Sequence, residues 1–271
     1  MPHEFTVLFI IFINLIIGKE HDRRRHKREI LFYGDSHVQS LNYSNFLPYI
    51  KDRLEKSNPE FQVTISVVAD KGNDVHDLFY GKKEAILNRI WKQNTKLHIN
   101  KQIADLPDVI IVYWDSDSET EDIDWSDSKR EKFRDEYKTR LSNLIYYLKK
   151  NIRHVALAGP GLDGEDKEDS NGREFIIESY RTINKVICSN YNIKYIDIRL
   201  ELLNNLPYNN NRDNGYLTTD GKHLNKNGMK VVSNKFIKVL NNWKQLWKKY
   251  KQFVEDDKDE DEEDDIGLIT Y

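Results

Sequence analysis

The chain has 271 residues, of which 38% are hydrophobic and 32% charged, and a formal net charge of -3 at pH 7. That length supports one domain with a sizeable core or two small ones, and the balance is that of a soluble globular protein with charged additions. Its single cysteine, Cys188, excludes an intrachain disulfide and any structural zinc site built on two or more thiolates, and reads as a small buried apolar residue.

The near-neutral total hides opposite ends, which have to be read separately. Phe5 to Ile17 is an apolar run of 13 residues. A membrane-spanning helix needs about 20, a signal-peptide core about 7 to 15. The preceding MPHE carries no Lys or Arg, and Ile16 sits where a small residue is preferred for cleavage after Gly18. Residues 1–18 are read as a signal peptide or, alternatively, a short anchor. The first implies a secreted or secretory-pathway protein; membrane contact follows only if the segment stays uncleaved. Residues 19–28, KEHDRRRHKR, read as a basic linker, with Arg25-His26-Lys27-Arg28 solvated rather than a processing site. Asn42-Tyr43-Ser44 is an N-x-[ST] sequon, relevant only in a secretory pathway.

From residue 29 to 250 apolar runs alternate with helical patterns. Strands are expected at Ile30–Tyr33, Phe61–Ala69, Val109–Trp114, His154–Ala158 and Ile193–Ile198, because continuous apolar runs between polar turns suit strands buried on both faces. Helical spacing covers 129–150, 174–191 and 227–250, the last capped by Asn225 and carrying Trp243 and Trp247 on its apolar side. Two short helices are expected near 83–92 and 98–105. The rhythm predicts an α/β domain: three layers, α/β/α, with a flavodoxin-like five-stranded parallel sheet. Ligands in such sheets bind beyond the carboxyl ends of the strands. Residues 251–271 form an acidic tail expected to be disordered; Glu255 to Asp265 holds ten carboxylates and one lysine.

Four short segments carry chemistry, three of them directly after a predicted strand. Gly34-Asp35-Ser36-His37 places a serine on a tight strand-to-helix turn. Alone, such a serine is more often a helix cap. Asp70-Lys71-Gly72-Asn73-Asp74 offers a glycine whose N–H can approach a ligand, or an ordinary loop glycine. Trp114-Asp115-Ser116-Asp117 is polar and acidic, and by itself suits a metal loop or a helix cap as well as a donor. Asp220-Gly221-Lys222-His223 sets a carboxylate three residues before a histidine, close enough to accept from the imidazole Nδ1–H and leave the other nitrogen as a base. His37 and His76 lie beside these segments, where surface or core roles are the ordinary ones.

Taken in order, Ser, Gly, a polar donor and Asp-x-x-His resemble the SGNH hydrolase superfamily, the GDSL-type esterases and lipases. Gly34-Asp35-Ser36 matches that family's first block, Gly72 its second, and Asp220-Gly221-Lys222-His223-Leu224-Asn225 its last, followed by the usual glycine at Gly228. The likeness spans about residues 29–245. It implies a serine-dependent carboxylic ester hydrolase with Ser36, Asp220 and His223 as catalytic residues and the N–H groups of Ser36 and Gly72 in the oxyanion hole. No metal or other cofactor and no nucleic acid is implied; the partner is a small-molecule or glycan ester.

The third block departs from the family pattern, with Ser116 standing where an asparagine donor is usual. A hydroxyl donates one hydrogen bond with a shorter reach than an amide. Loss of one oxyanion donor costs about 10²–10³ in turnover. Two alternatives follow: an impaired SGNH domain that binds acylated ligands, or an acyltransferase on the same triad. A third, from another class, is an acidic interaction protein whose tail carries the function. The absence of a long apolar loop favours a short-chain or carbohydrate acetyl ester over a long-chain lipid.

Overall fold

The computed structural model describes residues 25–43, 45–69, 106–113, 127–162, 170–207, 215–219 and 223–248. Five strands, β1 (His26–Gly34), β2 (Phe61–Ala69), β3 (Val109–Tyr113), β4 (His154–Ala158) and β5 (Lys194–Ile196), form one sheet in the order β2-β1-β3-β4-β5, and every pairing is parallel. Six described helices accompany it: α1 (Ser36–Tyr43), α2 (Phe46–Ser57), α3 (Asp127–Asn151), α4 (Ser170–Tyr191), α5 (Ile198–Leu203) and α6 (Lys226–Asn241). Among the described residues, no helix is long and apolar enough to cross a membrane.

Alternation along the strands feeds two separate cores. Ile30 and Phe32 of β1 join Val109, Ile111 and Tyr113 of β3 against α1, α2, α5 and α6. Leu31, Tyr33, Ile110 and Val112 point the other way, against α3 and α4. Both faces are covered, so the central strands can be apolar at every position. Each such side chain, once fully buried, contributes about 1.5–3 kcal/mol. Cys188 belongs to the second core, where burial pushes its thiol up to about 12.

The register aligns the strand ends. Gly34 pairs with Ala69 on one side and Tyr113 on the other; Tyr113 pairs with Ala158, and Ala158 with Ile196. These five residues form one row across the carboxyl edge of the sheet. The chain reverses its direction of strand addition at β1, between β2 and β3, which is where parallel sheets of this kind open a crevice.

The expected spans of β2 and β4 hold, but other boundaries move. The first strand begins at His26, so the basic linker ends before it and the domain starts ahead of residue 29. Arg28 is buried: Nε donates to the Leu246 carbonyl at 2.7 Å, Nη2 to that of Lys248 at 2.6 Å, and the guanidinium lies 4.7 Å from the Phe61 ring centre. A cation that finds carbonyls and an aromatic face can lie inside a strand. Strand β5 is confined to Lys194–Ile196, because Asp197 caps α5 by accepting from the Leu200 N–H. Helix α6 stops at Asn241 rather than 250. Trp243 and Leu246 still bury themselves from the turns that follow, and the Trp247 indole N–H donates to the Leu240 carbonyl at 2.7 Å, satisfying one of the last helical acceptors. The expected helices near 83–92 and 98–105, the N-terminal segment 1–18 and the acidic tail lie outside the described residues.

Candidate active site

Strand β1 delivers the chain to the rim through a close approach. A Cβ on Gly34 would stand 1.9 Å from the Tyr113 carbonyl oxygen and 2.8 Å from Val38 Cγ2, so only glycine lets β1 and β3 end side by side while α1 starts immediately above. Asp35 then turns the chain. Its Oδ1 accepts from the His37 N–H at 2.9 Å and its carbonyl from the Gln39 N–H at 3.1 Å, which satisfies two donors of the first turn of α1. Ser36 is the first residue of α1 and is partly exposed, whereas Asp35 and His37 on either side of it are buried. The capping role that a lone serine could have filled therefore belongs to Asp35, and Ser36 is spared from it.

The second part of the site is a narrow loop ahead of α6. Thr218 and Leu224 form an antiparallel bridge, and the His223 carbonyl accepts from the Thr219 N–H at 2.8 Å and from Thr219 Oγ1 at 3.1 Å. Asn225 closes the loop. Its Oδ1 caps α6 by accepting from the Asn227 and Gly228 N–H groups, while Nδ2 donates to the Gly215 and Thr218 carbonyls. Gly228 allows the helix to start against the loop, since a Cβ there would lie 2.1 Å from the Leu217 carbonyl oxygen.

These two parts meet at their histidines. The rings of His37 and His223 are 5° from parallel with centres 5.8 Å apart. His37 is only 2% exposed, its Nδ1 is 3.4 Å from Asp35 Oδ1, and the Tyr113 ring centre lies 5.9 Å from its own. His223 is exposed. The structure thus brings His223 to the residue next to Ser36, at the carboxyl edge of the sheet. Gly72, Ser116, Asp220 and His76 lie outside the described residues; β2 and β3, which precede the first two, end in the same row as β1. Among the described residues, no group of three or more His, Cys, Asp or Glu side chains is arranged to hold a metal ion.

No protein-family model matches the chain, and no curated protein does. Solved structures do. The acetyl xylan esterase AlAXEase superposes with a TM-score of 0.57 at 22% identity, covering 78% of this chain and 99% of its own. Axe2, an acetylxylan esterase from Geobacillus stearothermophilus, gives 0.56 at 19% identity over 79% of this chain and 94% of its own. Both adopt the SGNH-hydrolase architecture. This chain has the SGNH-hydrolase fold.

Here the turn after β1 carries Ser36, and the loop before α6 carries His223. Axe2 has also been solved with alanine replacing, one at a time, a serine, an aspartate and a histidine three positions beyond that aspartate, each described as a catalytic mutant. The residue that sequence reasoning undervalued is His37. Its place beside Ser36 is visible in the sequence, but the ring it faces belongs to His223, far along the chain, and no local pattern announces that pairing.

Proposed function

We propose that the chain is a serine esterase that hydrolyses carboxylic esters, in particular short-chain or carbohydrate acetyl esters, through an acyl-enzyme on Ser36. The observation that carries this reading is the contact of His223 with His37, which sets the histidine of the Asp-x-x-His segment beside the Gly-Asp-Ser turn. In the reaction His223 takes the Ser36 proton as Oγ attacks the ester carbonyl. Asp220 orients the imidazole and stabilises the imidazolium. The N–H groups of Ser36 and Gly72, with the Ser116 hydroxyl, hold the oxyanion. His223 then protonates the departing alcohol, and water attacks the acyl-enzyme with the same histidine as base.

Three features support the assignment. Ser36 begins α1, where the helix favours developing negative charge, and Asp35 already fills the cap. Axe2, similar in fold, has its catalytic replacements on the same three residue types with the same Asp-x-x-His spacing. The neighbours' names specify acetyl esters on xylan, which matches the preference drawn from the loops of this chain.

A fluorophosphonate probe tests the reading. Labelling should occur at Ser36 and vanish in Ser36→Ala, together with release of acetate from acetylated xylo-oligosaccharides. An unlabelled, correctly folded wild type would turn the reading towards a binding domain. Acetyl transfer to an added sugar in preference to water would turn it towards an acyltransferase.

A further inference from the structure

We propose that His154 is an acid-sensitive latch: neutral, it holds the turns after α6 against the amino edge of the sheet, and protonated, it releases them. His154 opens β4 and pairs with Val109, the first residue of β3. This is the end of the sheet opposite the row of strand ends below Ser36. Residues 242–248 cover it. The Trp243 ring is buried and meets the His154 ring edge to face, with 5.2 Å between centres. Leu246 is buried beside it in the same core, and Trp247 packs on Phe61 at 5.4 Å.

The two nitrogens of His154 stand in different surroundings. The residue is only partly buried, but Nε2 is fully buried and has no hydrogen-bond partner. A proton there would be a buried donor without an acceptor, so the neutral ring keeps its proton on Nδ1. Acid must then place the second proton on Nε2. The imidazolium so formed meets mostly cations: Arg153 beside it in the chain, Arg28 from β1, and Lys194 from β5, whose Nζ already stands 5.1 Å from the Trp243 ring centre. The turns themselves bring Lys244 and Lys248 and no carboxylate. Asp108, ahead of β3, acts the other way, while its Oδ2 accepts from the Glu29 N–H at 2.8 Å. Burial first, and then Arg153, outweigh Asp108 and hold the imidazole below its usual range. In the released state the ring takes its ordinary value, about 6.5. The held state binds the proton less readily. The latch is therefore closed above that value, and it loosens as pH falls from there through the lowered value of the held state.

Hydrogen exchange followed by NMR on the intact chain tests this. The Trp243 and Leu246 amides donate to the Leu240 and Trp243 carbonyls, so they report whether the turns are in place. Taken relative to intrinsic exchange, their protection in the wild type should fall about threefold or more between pH 7.5 and 5.5, with Ile110 and Ile111 in the sheet unchanged. His154→Phe keeps an aromatic ring on Trp243 and cannot take the proton; its protection should be the same at both pH values. His154→Gln should behave alike and serves where the phenylalanine variant does not fold. Both variants keep His26, whose ring packs on Phe61, so any response due to that residue persists in them. Wild-type protection that is equal at the two pH values overturns the proposal, as does a fall in either folded variant as large as that of the wild type.

Discussion

The main-chain carbonyl of Tyr113 occupies the space that a side chain on Gly34 would need, 1.9 Å from an ideal Cβ. The obstruction is backbone within a paired strand, so it cannot swing aside as a flexible side chain would. Gly34→Ala should separate the ends of β1 and β3 and displace the turn that carries Ser36. Overpacking of this kind costs about 1–3 kcal/mol or more. For a domain of this size the melting temperature should fall by at least about 3–10 °C, with a larger proportional loss of ester hydrolysis than of folded protein. Differential scanning fluorimetry beside an esterase assay checks both, and an unchanged melting temperature would refute the steric argument.

Replacement of the proposed triad should act on turnover and spare stability. Ser36→Ala should lower kcat about 10⁴–10⁶-fold, and Asp220→Asn about 10⁴-fold, because the members of a triad work as a unit. The double variant should be little worse than Ser36→Ala alone. Multiplicative losses in the double variant would show that the two residues act independently. Thermal melts of the Ser36→Ala protein should overlay the wild type, since Ser36 is partly exposed and the cap is supplied by Asp35.

Arg28 makes a different kind of demand. Its guanidinium bonds to the Leu246 and Lys248 carbonyls and rests on Phe61. Arg28→Ala removes a buried donor set as well as the packing of the stem. The expected cost is about 2–4 kcal/mol. Residues 242–248 should lose hydrogen-exchange protection before the strands do. Uniform protection across β1 and residues 242–248 in the variant would contradict this.

Acid should act through a cluster at the end of β5. Burial pushes the Asp197 carboxyl up, but Arg181, bonded through Nε and Nη2, the Leu200 N–H and the Lys185 charge together outweigh it and hold the group below the usual carboxylate range. Burial likewise opposes, and the bonds from Arg181 and Arg199 likewise depress, the Glu178 carboxyl. A carboxyl whose folded value lies below its unfolded one stabilises the fold fully above the unfolded value, about 4 for these groups. That stabilisation is lost as pH falls from there through the lowered folded values. Asp197→Asn should therefore melt lower than wild type at pH 7, and the gap should narrow as the pH is taken below about 4. A gap independent of pH would sink the argument.

Much of the fold is legible because buried parallel strands write themselves as continuous apolar runs. Phe61–Ala69 and His154–Ala158 are found at the expected bounds. Where a strand carries charge, the pattern misleads: Lys27 and Arg28 look like linker, yet they pair with Gln62 and Val63 of β2, and Arg28 is buried. Helix α2 escapes notice because its start lacks the usual signal; Asn45 precedes it in a left-handed conformation with no side-chain cap, and Pro48 sits in its first turn. The end of α6 misleads in the opposite sense. Trp243, Leu246 and Trp247 continue a helical spacing although turns, not helix, bury them. In the site, Gly34-Asp35-Ser36 and His223 are readable as segments. The ring of His37 against that of His223 is a long-range relation, set by the sheet between them.

The Arg28 contacts also bear on the order in which the protein can be completed. The strand at the centre of the β2-β1-β3 arrangement is synthesised well ahead of Leu246 and Lys248, 218 and 220 residues further on, whose carbonyls its guanidinium needs. Until those residues leave the ribosome, closing that edge would bury a cation without its acceptors. A nascent chain should keep it hydrated instead. Final locking of this strand therefore waits for the synthesis of Leu246 and Lys248.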